Sequence, residues 1–153
     1  MEEVYIYDTV RSPRGKGKRG SLNELTAVAL SAKILEELRV RNELNTEEVE
    51  DVIWGNVTQV GEQGGCLARS AVIAANYSEY TPGLSINRFC ASGLEAVNLA
   101  ANQVKGSAGN AYVAGGVEMM SRVPMGSDGA AIAVDPILAM NSYFVPQGIS
   151  ADI

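Results

Sequence analysis

Short apolar runs alternate with segments of helical periodicity, and this alternation constrains the fold more than any other feature of the sequence. The strand-like runs are residues 4–7, 52–57, 84–86 and 111–117, and the helix-like segments are residues 22–38, 67–75 and 91–104. A strand–helix alternation predicts an α/β unit with a largely parallel sheet, helices on its faces and right-handed crossovers. The last run is apolar almost throughout, which is typical of a strand covered on both faces.

The first predicted helix carries both an initiation signal and an apolar stripe. Ser21 and Glu24 have the spacing of a capping box, in which each side chain bonds a free amide of the first turn. The stripe follows at steps of three and four and comprises Leu22, Leu25, Ala29, Ala32, Leu35 and Leu38. The third helix has a similar stripe, formed by Leu94, Val97, Ala101 and Val104. We expect both stripes to face a core.

The character of the chain changes after Met120. Residues 121–153 contain three prolines and several glycines, and they show no apolar periodicity. A long irregular tail is unusual in a compact domain. We therefore expect residues 1–120 to form one unit and residues 121–153 to begin a different one.

The complete absence of histidine limits the chemistry of the chain. The sequence has 12 basic and 18 acidic side chains and a net charge of −6, which argues against a nucleic-acid or anionic-membrane partner. Without histidine there is no Cys-His or Ser-His pair and no histidine metal ligand. Two cysteines are too few for a zinc site or a disulfide scaffold, so we expect no metal. Acid/base chemistry would need a histidine from another segment or polypeptide.

The N-terminus and the hydropathy predict a cytoplasmic location. The sequence MEEVYIYDTV has no basic segment followed by an apolar run, so it does not resemble a signal peptide. No apolar stretch reaches the ~20 residues that span a bilayer. A reducing compartment and free thiols follow as expectations.

The loop of residues 8–20 is basic and rich in glycine. Its five cations are Arg11, Arg14, Lys16, Lys18 and Arg19. An anion contact and a solvated connection are both compatible with this composition. The spacing matches no phosphate-binding loop, which favours the solvated connection.

Cys90 occupies the position with the strongest chemical signal. The strand-like run ends at Ile86, the chain must turn, and Cys90 stands just before the predicted helix. This placement would expose the sulfur at the carboxyl edge of the sheet and beside the positive end of a helix dipole, which favours a thiolate. Free amides of the first turn would face an oxyanion formed on a carbonyl bound to that sulfur. Ala91 and Gly93 are small enough to admit a bulky thioester.

Structural roles compete with catalytic ones at this and other residues. A free cysteine often only fills space in a core, and Cys66 has no strand leading into it, so we expect Cys66 to be structural. Glu95 is expected to be solvated or paired, and Glu118 to hydrogen-bond a turn. The methionines Met119, Met120 and Met125 could line an acyl pocket, but methionine more often fills gaps.

Several motifs together resemble the thiolases, the acyl-CoA acetyltransferase family. They are residues 8–16 (DTVRSPRGK), 55–57 (GNV), 87–94 (NRFCASGL), 115–122 (GGVEMMSR), 123–126 (VPMG) and 145–148 (VPQG). The resemblance implies a layered core half with a mixed, mostly parallel sheet over residues 1–120 and the start of an inserted loop domain over residues 121–153.

The resemblance also implies a reaction. Cys90 would be the nucleophile that accepts an acyl group from a 3-ketoacyl-CoA and passes it to coenzyme A, and its backbone N–H would contribute to an oxyanion hole. The reverse reaction is a Claisen condensation of acetyl-CoA. Coenzyme A and its thioesters would be substrates, no cofactor would be permanently bound, and the coenzyme A contacts on this chain stay unassigned. Fatty acid metabolism would be the setting, and the full-length protein would be a homo-oligomer, a dimer or tetramer.

The family is longer than this chain and has a second core half. That half supplies a histidine, a second cysteine and an asparagine-held water, which agrees with the missing histidine here. We therefore expect an incomplete and inactive chain on its own. A non-catalytic fragment or scaffold subunit is the alternative, and a ketoacyl synthase or hydroxymethylglutaryl-CoA synthase is a lesser one.

Overall fold

A three-stranded parallel sheet forms the centre of the computed structural model, which describes residues 3–129 and 131–153. The strands are β1 (Asp51–Gly55), β2 (Gly83–Ile86) and β3 (Tyr112–Gly116), in the spatial order β2-β1-β3. Ile53 of β1 lies opposite Leu84 on one side and Ala114 on the other, and both pairings are parallel. The predicted α/β class with a mostly parallel sheet is confirmed.

Helices cover both faces of this sheet. They are α1 (Ala27–Arg41), α2 (Leu67–Ala74) and α3 (Ser92–Lys105). Successive side chains of a strand point to opposite faces, and those of Val52 and Trp54 join the apolar cluster formed with α1 and α2. Gly55 faces the other way and lies against the first turn of α3. The Trp54 indole N–H donates to the buried Ser31 hydroxyl of α1 at 3.0 Å. This bond gives the buried indole N–H an acceptor within the core.

The first helix begins five residues later than its apolar stripe predicts. The N-cap is Thr26, whose hydroxyl accepts from the Ala29 amide at 3.1 Å. The capping box at Ser21 and Glu24 is not formed. Residues 21–25 turn instead, and the Leu25 amide donates to the Leu22 carbonyl at 3.0 Å. Threonine is also a favoured N-cap residue, and Thr26 stands directly before the helical run.

The predicted strand at residues 4–7 is wrong. The segment is extended, but it makes no backbone–backbone hydrogen bond with the described part of the chain, and Ile6 is 75% exposed. A cavity of about 1450 Å³ lies between this segment and the free edge of β3. A strand needs a partner, and the cavity separates the two backbones that would otherwise pair. Asp8 holds the segment in place through Asn42 at 2.9 Å and Arg41 at 3.2 Å.

The apolar stripe of α3 does not enter the core as predicted. Leu94 is 66% exposed, and Val97, Ala101 and Val104 line the same cavity. The buried residues of α3 are Ser92 and Ala96. The stripe therefore faces space that the described chain leaves unfilled.

Three short helices follow the sheet: α4 (Ala131–Val134), α5 (Pro136–Asn141) and α6 (Gln147–Asp152). Asp135 caps α5 by accepting from the Ile137 and Leu138 amides. No described residue of these helices is buried, whereas Val123 still is. The division of the chain at residue 120 stays a prediction. Within residues 3–129 and 131–153, no helix is long and apolar enough to cross a bilayer.

Candidate active site

Cys90 lies on a tight turn between β2 and α3, at the carboxyl edge of the parallel sheet. The thiol is exposed. Phe89, the residue before it, has a left-handed backbone with φ of 47°, which is uncommon for a residue with a large side chain. Because the carboxyl ends of parallel strands form the usual ligand-binding edge of α/β sheets, the sulfur occupies the place where a substrate can reach it.

Side-chain hydrogen bonds hold this turn in its strained shape. The Asn87 Oδ1 accepts from the Phe89 amide at 2.8 Å. The Ser92 hydroxyl accepts from the Arg88 amide at 2.8 Å and donates to the Phe89 carbonyl at 2.6 Å. Ser92 is only 4% exposed, so its two bonds are partly shielded from water, whereas the bond of Asn87 is exposed. The turn is therefore fixed by the residues on both sides of Cys90.

The Gly93 and Leu94 amides in the first turn of α3 have no side-chain cap, whereas the Ala91 and Ser92 amides donate to the Arg88 and Phe89 carbonyls. The N-cap of the helix, Ala91, has no side-chain acceptor to offer them. The N-terminus of a helix carries partial positive charge and free N–H groups, so it can stabilise an anion on a group bound to Cys90. The Glu95 carboxylate lies in the same turn and would oppose this positive charge, but it pairs with the Arg88 guanidinium at 3.1 Å, which offsets part of its negative charge. This pairing is the structural role expected of Glu95.

A glycine in β1 lets α3 approach the sheet closely. A Cβ atom on Gly55 would lie 2.5 Å from the Ser92 carbonyl carbon and 2.6 Å from the Gly93 nitrogen. A Cβ on Gly93 would meet no atom within 4 Å. The helix start therefore rests directly on β1 on one side and is open on the other.

Glu118 connects the ends of β3 and β1 next to this turn. Its carboxylate accepts from the Val57 amide at 2.8 Å, the Thr58 amide at 3.2 Å and the Gln63 side chain at 2.9 Å. Gln63 is fully buried. The sequence predicted a bond between Glu118 and a turn. The turn is the one that follows β1, about 60 residues away in sequence, which no local pattern indicates.

Cys66 lies at the other end of β2 from Cys90. Its sulfur is 3.2 Å from the carbonyl oxygen of Gly83, the first residue of β2. Its backbone is left-handed, with φ of 61°, and it stands at the N-cap of α2. The two thiols therefore do not form one site, and they provide an internal comparison within the same chain.

The other candidate residues occupy diverse environments. Met119 is buried at 6% exposure, whereas Met125 is 80% exposed, and the cations of the loop 8–20 are exposed. Arg122 pairs with Glu62, and this hydrogen bond lowers the pKa of the Glu62 carboxyl. In the described ranges, no three Cys, Asp or Glu side chains are grouped so that they could hold a metal ion.

A family model described as "Thiolase, N-terminal domain" matches residues 4–148, nearly the whole chain. The chain belongs to the thiolase family. The thiolase motifs around Cys90 and Glu118 both fall inside the matched range. Membership of the family is thus shown by the sequence as a whole.

Individual thiolases are also similar to this chain in sequence and in structure. The 3-ketoacyl-CoA thiolase of Colwellia psychrerythraea is 41% identical over 156 residues, covering 100% of this chain and 40% of that protein. That of Acinetobacter baylyi is 40% identical over 80% of this chain and 32% of its own length. The crystal structure of the Bacillus anthracis acetyl-CoA acetyltransferase superposes with a TM-score of 0.63 at 36% identity, over 67% of this chain and 26% of that one. The chain thus spans two fifths or less of these relatives.

Proposed function

We propose that this chain is the nucleophile-bearing part of an acyl-CoA C-acyltransferase. The Cys90 thiolate attacks the keto carbon of a 3-ketoacyl-CoA, and the bond between carbons 2 and 3 breaks. The electron pair leaves on the acetyl-CoA fragment, which takes up a proton, and the acyl group stays on the sulfur as a thioester. Coenzyme A then attacks this thioester and gives its thiol proton to a base. The reverse sequence condenses two acetyl groups.

The exposed Cys90 thiol beside the uncapped start of α3 carries this proposal. An acyl group on that sulfur would bring its carbonyl oxygen near the backbone N–H groups of the turn, including that of Cys90. Such amides stabilise the oxyanion of a tetrahedral intermediate. The space beside Gly93 supports access for a thioester. Covalent catalysis also divides one difficult carbon–carbon cleavage into two acyl transfers.

We infer that a histidine base comes from outside these 153 residues, because the sequence contains no histidine. The chain spans 40% of the Colwellia thiolase, so most of such an enzyme has no counterpart here. We infer that residues 1–120 form the first core half and that residues 121–153 belong to an inserted loop domain. Acyl-CoA thioesters are the substrates, fatty acid metabolism is the setting, and the complete protein is a homo-oligomer.

Thiolysis of acetoacetyl-CoA tests this function. We expect the 153-residue chain alone to form no measurable acetyl-CoA, because loss of the base of such a site typically costs several orders of magnitude. Joining residues 1–153 to the downstream part of the Colwellia thiolase should restore activity. The intact Colwellia enzyme is the positive control.

Two substitutions in the joined protein provide the matched comparison. Cys90→Ala should abolish thiolysis, whereas Cys66→Ala should retain it. Robust thiolysis by the 153-residue chain alone, or by the Cys90→Ala protein, would contradict the proposal. Equal and slow reactivity of both thiols would favour a scaffold instead.

A further inference from the structure

We propose that Glu118 is a positioning residue for Cys90, acting through a chain of hydrogen bonds that ends at the amide of Phe89. The inference rests on the proposed role of Cys90 as a nucleophile. Glu118 does not touch the thiol in the structure, and its effect passes through the loop that follows β1. Three links connect the carboxylate with the turn.

The first link fixes the loop that follows β1. Both carboxylate oxygens of Glu118 are used: one accepts from the Val57 amide at 2.8 Å, and the other accepts from the Thr58 amide at 3.2 Å and from Gln63 Nε2 at 2.9 Å. A charged acceptor binds such donors more strongly than a neutral one. Gln63 is itself held, because its Oε1 accepts from the Met119 amide at 2.7 Å.

The second and third links lead from this loop to the nucleophile turn. The Val57 carbonyl accepts from Asn87 Nδ2 at 3.1 Å. The Asn87 Oδ1 in turn accepts from the Phe89 amide at 2.8 Å. Phe89 has the left-handed backbone that sets the direction of Cys90. A residue keeps an unfavourable backbone conformation only when its surroundings hold it there. The side chains of Asn87 and Ser92 hold the Phe89 backbone in this way.

A carboxylate suits this position because every group around it is a donor. Replacing Glu118 with Gln would put an NH₂ group either against the Val57 amide or against the Thr58 amide and Gln63 Nε2. One of these donors would then lose its acceptor in a partly buried place, which costs more than a hydrogen bond contributes when it forms. The Val57 carbonyl would shift with its peptide, and the Asn87 side chain would lose its fixed orientation.

Alkylation by iodoacetamide at pH 7, followed by peptide mapping, measures both thiols of the full 153-residue chain in one experiment. Wild-type Cys90 should react faster than Cys66. Glu118→Gln should slow Cys90 by about fivefold, as expected for loss of the neutral hydrogen bond between Asn87 and the Phe89 amide that ends the chain, and should leave Cys66 unchanged. Glu62→Gln is the matched control, because it makes the same change in the neighbouring loop at an exposed carboxylate that pairs with Arg122.

A double-mutant cycle separates positioning from a general structural role. Asn87 is exposed, so Asn87→Ala should fold and should slow Cys90 by a similar factor. Combining it with Glu118→Gln should add little, because both substitutions break the same chain of bonds. If Glu118→Gln does not fold, Asn87→Ala decides alone, and an unchanged Cys90 rate would overturn the inference.

The remaining outcomes separate this inference from the proposed function. A wild-type Cys90 no faster than Cys66 would overturn both. A fast wild-type Cys90 with equal rates in Glu118→Gln and Glu62→Gln would overturn the positioning role and leave the proposed function standing. Equal changes at both thiols would indicate a general change in structure, and full additivity in the cycle would indicate that Glu118 and Asn87 act independently. Either result would also overturn the positioning role.

Discussion

A single residue, Gly55, determines how closely α3 approaches the sheet. A Cβ atom there would lie 2.5 Å from the Ser92 carbonyl carbon, which is a backbone atom of α3 and not the end of a flexible side chain. We expect Gly55→Ala to lower the free energy of unfolding by about 1–3 kcal/mol, the usual cost of overpacking. Urea unfolding monitored by circular dichroism measures the change.

Gly93→Ala is the control for Gly55→Ala, because the added methyl group would enter open space. Its effect should be within about 1 kcal/mol of wild type, and a small gain is expected because alanine favours a helix. Equal stabilities of the two variants would show that α3 moves away from β1 without cost. That result would contradict the close approach that supports the Cys90 turn.

The sequence predicts the position of Cys90 but not the residues that hold it. The strand end at Ile86 and the small residues after Cys90 indicate the turn from local pattern alone. The bond from Glu118 to the Val57 amide and the bond from Asn87 to the Val57 carbonyl join residues 61 and 30 positions apart. Periodicity and capping signals extend over only a few residues, so they carry no information about such bonds.

Tyr77 joins two elements, since it follows α2 and its hydroxyl donates to the Leu35 carbonyl of α1 at 2.8 Å. Burial raises the pKa of Tyr77 from 10.0 to about 12. The folded state therefore holds this proton more tightly than the unfolded state. The contribution is complete below pH 10 and is lost as the pH rises towards 12, with a total of roughly 2–3 kcal/mol.

Tyr77→Phe should separate the hydrogen bond from the titration. At pH 7 the variant should be about 1 kcal/mol less stable, the usual net value of one hydrogen bond. Between pH 10 and 12 wild type should lose roughly 2–3 kcal/mol through this group and the variant should not, so the two stability curves should cross. Urea unfolding at a series of pH values measures this, and parallel curves above pH 10 would contradict the assignment.

At the scale of elements, local pattern predicts the central part of the chain well. The observed β1, α2, β2, α3 and β3 each begin and end within two residues of the predicted segments. Residues 4–7 have the composition of a strand and fail to form one because pairing depends on a distant neighbour. The predicted start of α1 is wrong for a local reason, because Thr26 and not Ser21 caps the helix.

The whole molecule combines an ordered site with unfilled apolar space. The cavity between residues 4–17 and β3 is lined by the apolar stripe of α3, which the sequence predicted to be buried. Several large apolar side chains of α4–α6 are also exposed. These apolar surfaces are exposed in a chain that spans 40% of the length of the Colwellia thiolase.

The site of acyl transfer tests the central claim most directly. The 153-residue chain would be incubated with acetyl-CoA, and acetylated peptides would be identified by mass spectrometry. We expect slow formation of an acetyl thioester on Cys90, with release of coenzyme A and no further turnover, and little label on Cys66. The Cys90→Ala chain should stay unlabelled. Equal or faster acetylation of Cys66 would contradict the account, because Cys90 would then have no advantage as a nucleophile.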